Sequence, residues 1–241
     1  MKLLLLGGTS EARALAKRLH PDVELISSLA GRVPDPALPV GPVRIGGFGG
    51  VAGLRTYLQD NGITAVVDAT HPFAANITAN AAQACTGLGL PHLVLARPAW
   101  PHGDAIVVTD DRQAAQTVKD RGYQRVFLTT GRSGTTAFRG SDAWFLIRAV
   151  TPPDADTLPP NHHILLSRGP YDYDNELALL RDHGIDALVT KNSGGAMTRA
   201  KIDAAQALGV PVLMVDRPAL PDGVATAATV DDAEAWVRAR R

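Results

Sequence analysis

Short, continuously apolar runs alternate along the chain with longer amphipathic stretches. The runs read as strands at residues 2–6, 23–28, 65–68, 92–96, 105–108, 125–129, 144–150, 164–167, 187–190 and 212–215. The stretches between them read as helices at 11–19, 51–61, 74–86, 112–120, 175–183, 198–208 and 231–240. Apolar runs this short suit strands covered on both faces, and their alternation with helices is the pattern of parallel α/β folding. Asp110-Asp111 suits the cap of the fourth helix, Asp231 that of the last, and Ser10 that of the first.

One part of the pattern occurs twice. Gly62-Ile-Thr-Ala-Val-Val opens a stretch that closes on Arg97-Pro98, and Gly184-Ile-Asp-Ala-Leu-Val opens one that closes on Arg217-Pro218. Each reads strand, polar turn, Ala-rich helix, Gly-x-Pro, strand, Arg-Pro. Any two β-α-β units look alike to some degree, but the shared Arg-Pro ending favours two related domains. The expected fold is therefore α/β. It consists of two Rossmann-like three-layer domains with mainly parallel sheets and a ligand cleft between them. Residues 1–98 form the nucleotide-binding domain and 99–241 the second. The connection lies within 97–103, where two prolines and a glycine stand together. The Pro-rich stretch 151–160 reads as a surface loop.

Composition narrows the class without naming a ligand. The 241 residues carry 24 Lys+Arg against 24 Asp+Glu. A balance of zero argues against nucleic-acid or anionic-membrane partners, which are held by clustered basic charge. The single cysteine excludes a disulfide framework and a Cys-based zinc site. Cys85 falls in an Ala-rich helical pattern, where a small buried side chain is expected. The leucines of 2–6 are cut off by Gly7-Gly8-Thr9, so they read as a buried first strand, and a cytoplasmic location is expected.

Chemistry is expected at the carboxyl ends of the strands, where parallel sheets collect ligands. The first turn, Gly7-Gly8-Thr9-Ser10-Glu11, combines glycines and hydroxyls at a helix start and suits a phosphate; the alternative is an ordinary capped turn. The second strand ends Ser27-Ser28-Leu29-Ala30-Gly31-Arg32, with no carboxylate for a ribose hydroxyl. Two hydroxyls and an arginine suit a 2′-phosphate and point to NADP(H) over NAD(H), unless Arg32 is only a solvated loop residue. The third turn, Asp68-Ala-Thr70-His71-Pro72-Phe73, offers a strand-end histidine, with Pro72 expected in the first turn of the following helix. The fourth, Thr190-Lys191-Asn192-Ser193-Gly194-Gly195, is followed by Arg199 and Lys201 and could hold phosphate or carboxylate groups. Arg132 and Arg168 end two further strands and suit an acidic ligand, or pair with carboxylates of the protein. His162-His163 reads as part of a loop, and no histidine or cysteine spacing suggests a metal site.

Taken together, Leu-Leu-Gly-Gly-Thr-Ser-Glu-Ala at the start, Asp68-Ala-Thr-His-Pro-Phe-Ala74, Thr129-Thr-Gly-Arg132 and Thr190-Lys-Asn-Ser-Gly-Gly195 with Lys201 resemble the precorrin-6A reductase family of cobalamin biosynthesis. The resemblance runs in order from Met1 to about Pro218. It implies NADPH-dependent reduction of one double bond of an acidic tetrapyrrole, precorrin-6A or its cobalt form, to give precorrin-6B. It implies NADP binding by Gly8, Thr9, Ser10, Glu11, Ser28, Arg32, Thr70, Lys191, Asn192, Ser193, Gly194, Gly195 and Lys201. Arg97, Arg132, Arg168 and Lys191 become candidate clamps for substrate carboxylates, and His71 and Tyr171 candidate proton donors, with no essential side-chain acid expected because solvent or the substrate itself could supply the proton. Hand-over contacts with neighbouring enzymes of that pathway are implied as well. A two-domain nucleotide-sugar-type transferase and a non-catalytic NADP sensor are the other readings of the same pattern.

Overall fold

Four leucines after Lys2 leave no polar face, so the segment is stable only where both sides are covered. It forms β1 (Lys2–Leu6), and its alternate side chains enter two different apolar clusters. The computed structural model describes residues 1–31 and 36–240. After β1 come α1 (Ser10–Leu19), β2 (Glu24–Leu29), β3 (Val43–Ile45), α2 (Gly50–Asp60), β4 (Ala65–Asp68), α3 (Ala75–Leu88) and β5 (His92–Leu95). Next are β6 (Ile106–Val108), α4 (Asp111–Arg121), β7 (Arg125–Leu128), β8 (Trp144–Ala149), β9 (His162–Leu166), α5 (Tyr173–Asp182), β10 (Ala187–Lys191), α6 (Ala200–Ala207) and β11 (Val212–Val215). The chain closes with β12 (Ala225–Ala227) and α7 (Val230–Arg238).

Two compact units result. One comprises Met1–Pro98 with Pro218–Arg241, the other Ala99–Arg217. Each holds a six-stranded sheet, ordered β12-β5-β4-β1-β2-β3 in the first and β6-β11-β10-β7-β8-β9 in the second. Every ladder is parallel. In the first unit, Leu3 and Leu5 pack with Leu15 and Leu19 of α1 and with Ala233 and Val237 of α7. Leu4 and Leu6 pack on the opposite face with Leu54 and Leu58 of α2 and with Ala81 and Ala84 of α3. This is the three-layer α/β arrangement that the hydrophobic pattern predicts.

The expected second domain, 99–241, differs from the observed unit. Residues 218–240 leave it, and β12 extends the first sheet beside β5. Its counterpart in the second sheet is β6, beside β11. Each of these strands follows the same heptapeptide pattern, Arg97-Pro-Ala-Trp-Pro-His-Gly103 and Arg217-Pro-Ala-Leu-Pro-Asp-Gly223. The repeat thus extends past Arg-Pro, and both Arg-Pro pairs are crossover points.

Smaller differences have local causes. Edge strands β3 and β12 are three residues each, too short to register as apolar runs. The hydroxyl of Thr9, one residue before Ser10, accepts from the Ala12 amide and caps α1. Thr229 rather than Asp231 caps α7, through a reciprocal capping box with Asp232. Pro72 stands in the turn ahead of α3, which begins at Ala75. His162 and His163 belong to β9, paired with Phe145 and Leu146.

Candidate functional site

In the first unit the turns after β1 and β4 are tied together. Thr9 Oγ1 donates to the carbonyl of Ala69, 2.7 Å away. Asp68 is buried, and its Oδ1 accepts from the amide and the hydroxyl of Thr70 at 2.9 and 2.7 Å. Thr9 and Thr70 therefore shape the turns. Gly8 has φ of +114°, which side chains disfavour, and a Cβ there would meet no atom within 4 Å. Open space lies over a turn at a helix start, the geometry that lets backbone N–H groups face an anion.

Ser10, Glu11 and Arg97 form a chain. Ser10 donates to Glu11 Oε2 at 2.9 Å, and the Arg97 guanidinium donates to the same oxygen at 2.9 Å. Burial alone would raise the Glu11 pKa, but its backbone hydrogen bond and Arg97 outweigh burial and hold it low. An ionised Glu11 accepts from hydroxyls and repels phosphate. Arg97, expected as a carboxylate clamp, has a carboxylate of the protein as partner.

The end of β2 carries an unforeseen cation. Register places Ser28 opposite Arg44 of β3, and Arg44 Nη1 donates to Ser28 Oγ at 3.3 Å. Arg44 also donates to the carbonyls of Gly46 and Gly47, and its guanidinium lies 3.8 Å from the Phe48 ring centroid. Ser27 Oγ is buried and lacks a hydrogen-bond partner among the described residues. Arg32, the arginine expected here, lies outside the described residues. The third turn presents an exposed His71, whose Nδ1 accepts from the Phe73 amide at 3.2 Å.

In the second unit the turns after β7 and β10 are likewise joined. Lys191 Nζ donates to the Thr130 carbonyl at 2.8 Å. Burial pushes this amine below the usual lysine range, and Asp111 opposes the shift. Asn192 is fully buried; its Oδ1 accepts from the Trp100 amide at 2.9 Å and its Nδ2 donates to the Trp100 carbonyl at 3.1 Å. Trp100 Nε1 in turn donates to the Gly195 carbonyl at 2.9 Å. The Asn192 side chain, expected at a cofactor, is the peg that holds this turn. Gly194 and Gly195 both have positive φ, and the Ser193 amide bonds the Lys191 carbonyl at 2.7 Å.

Lys201, also expected at a cofactor, is 5 % exposed. Its ammonium donates to the Thr198 carbonyl and lies 5.0 Å from the Trp100 ring centroid. Burial and the nearby Arg148 lower its pKa to about 7. Arg148 forms a buried fork with Glu176 at 2.9 and 2.6 Å, and the Tyr171 ring covers its guanidinium. The Tyr171 hydroxyl donates to the Ser167 carbonyl at 3.2 Å. Arg132 and Arg168 are exposed at the ends of β7 and β9. Among the described residues, no three His, Cys, Asp or Glu side chains form a metal-ligand group, and no helix is long and apolar enough to cross a membrane.

Comparison with known proteins places this geometry in context. A family model described as precorrin-6x reductase CbiJ/CobK matches residues 2–238. The precorrin-6A reductase of Mycobacterium tuberculosis is 66 % identical over 236 residues, covering 98 % of this chain and 97 % of that protein. The precorrin-6A reductase of Rhodococcus erythropolis is 54 % identical over 246 residues, covering 98 % and 97 %. The solved structure of CobK precorrin-6A reductase superposes with a TM-score of 0.90 at 40 % identity, covering 99 % of this chain and 97 % of that one.

Proposed function

The chain belongs to the precorrin-6x reductase family, whose reaction is the reduction of precorrin-6A in cobalamin biosynthesis, and we propose that NADPH is its reductant and precorrin-6B its product. The match over residues 2–238 carries this reading. When bound, the reduced nicotinamide supplies the hydride. The protein then has to bind, orient and shield two large anionic ligands.

The donor set of the first unit fits the cofactor. The open turn at Gly8 and the start of α1 suit a pyrophosphate. Ser28 and Arg44, with no carboxylate on β2 after Glu24, suit a 2′-phosphate. Arg32 stays in this reading as a second cation. In the second unit, Arg132 and Arg168 are exposed forks for substrate carboxylates, and the amides of Gly194 and Gly195 are further donors. A cytoplasmic location and hand-over contacts with neighbouring pathway enzymes belong to the same reading.

Loss of NADPH absorbance on adding precorrin-6A is the test. Oxidation in step with consumption of the macrocycle supports the reading. NADPH binding without oxidation would favour a sensor, and binding of a nucleotide sugar in its place would favour a transferase.

A further inference from the structure

Lys191 ends β10, a strand interior to its sheet, at the edge where parallel sheets present ligands. Its bond to the Thr130 carbonyl keeps the amine at the turn after β7. Asp111, the first residue of α4, is the acid that acts on it. Asp111 Oδ1 is buried and lies 3.0 Å from where a Cβ on Gly134 would stand. The Thr130 hydroxyl presses on the same glycine, so Asp111, Thr130 and Gly134 are closely packed.

On this arrangement we propose that Lys191 delivers the proton that completes the reduction, with the Thr130 carbonyl positioning its amine and Asp111 relaying the returning proton. The proposal rests on the reductase reading above. One carbon of the double bond receives the hydride with its two electrons. Its neighbour, left with the electron pair, takes a proton: the Nζ–H bond breaks, a C–H bond forms, and Lys191 becomes a neutral amine. Solvent returns a proton to it, directly or through the Asp111 carboxyl, which solvent then reprotonates. The cofactor ends oxidised, the double bond reduced, and the protein as it began.

The electrostatics agree with such a pair. Burial lowers the Lys191 amine. Burial raises the Asp111 carboxyl, Lys191 and the Thr130 hydroxyl pull it back, and Asp110 adds a smaller upward push. Facing Lys191 are Asp111 from α4, with Asp110 behind it, and Thr130 from the turn after β7. An amine and an acid displaced toward each other exchange a proton at low cost. Of the other candidate donors, the Tyr171 hydroxyl already donates to the Ser167 carbonyl.

Wild-type turnover with NADPH and precorrin-6A tests the reductase reading by itself; its absence overturns that reading and the proposal with it. Given turnover, Lys191→Gln should lower kcat by about 10²–10⁴-fold and leave the KM for the macrocycle nearly unchanged. Lys191→Arg should fail to restore kcat, because a guanidinium keeps its proton. Rescue by arginine, or a raised KM with kcat retained, would make Lys191 an anion clamp and overturn the proposal. An NMR titration of the lysine amines in the wild-type protein gives a second readout that needs no variant to fold. Lys191 should titrate below the other exposed or half-buried lysines, and lower still in Asp111→Asn, with the alkaline limb of the pH–rate profile moving down alongside it. An ordinary titration of Lys191, or a thousandfold loss of kcat in His71→Ala with Lys191→Gln active, would contradict it.

Discussion

Arg44 is the residue expected to set cofactor preference. Its guanidinium is already oriented by two carbonyls, a serine hydroxyl and an aromatic face, so little entropy is lost when an anion arrives. Hydrogen bonds to charged groups contribute about 1.5–3 kcal/mol. Arg44→Ala should therefore weaken NADPH binding at least tenfold and leave NADH binding nearly unchanged; calorimetric titration with both nucleotides checks this. Equal losses would show that Arg44 does not read the 2′-phosphate. The sequence displayed the missing carboxylate after β2 but not this arginine. Ser28 and Arg44 meet only through the register of a three-residue strand inside a Gly- and Pro-rich stretch, where periodicity has nothing to count. Arg97 and Asn192 illustrate the opposite case. Their residue types suit ligand contacts, and the partners the protein itself gives them, Glu11 and Trp100, lie far along the chain and leave no local signal.

At the scale of elements, interior strands were legible because burial on both faces leaves no ambiguity of period, while caps and edge strands rest on one or two residues. Lys201 on α6 shows what the helical pattern conceals: a lysine in the interior, with its head over an indole. Its folded pKa of about 7 lies below the ordinary 10.5, so the unfolded chain binds more protons between those values. Stability therefore rises with pH across that window, and the cost of the buried charge is fully present below about pH 7. Lys201→Met should raise the Tm near neutrality and flatten this rise, as thermal melts across the window would show. A slope unchanged in the variant would place the titration elsewhere. Within the turn after β7, Gly134→Ala would drive a methyl into the Thr130 hydroxyl and Cβ. It should cost about 1–3 kcal/mol of unfolding free energy by denaturant melts, whereas Gly140→Ala, where a Cβ meets nothing within 4 Å, should be close to neutral.

At the scale of the whole chain, two units of like plan each take an outer strand that follows the same Arg-Pro-Ala-x-Pro-x-Gly pattern. That pattern is visible in the sequence. The strand that follows Arg217-Pro218 is only three residues long, too short to announce itself as an apolar run. The consequence is mechanical. The segment 218–240 supplies β12 and α7, and α7 closes the cluster around Leu15 and Leu19 while its Asp231 and Glu234 pair with Arg18. Ending the chain at Arg217 should therefore destabilise the first unit by several kcal/mol through exposed apolar surface. Hydrogen exchange should show β1 and β5 losing protection while β7 and β10 keep theirs. Uniform retention of protection would mean that the first unit closes without its last strand.

The central claim is that this fold brings NADPH to precorrin-6A and reduces one double bond. The most direct measurement is a single-turnover reaction with NADPH deuterated at the transferable position, followed by mass analysis of the macrocycle. The account predicts a product heavier by one deuterium from the cofactor and one hydrogen from solvent, formed in step with NADPH oxidation. Bound NADPH that stays reduced while the macrocycle is present, or a product without the cofactor's deuterium, would contradict it.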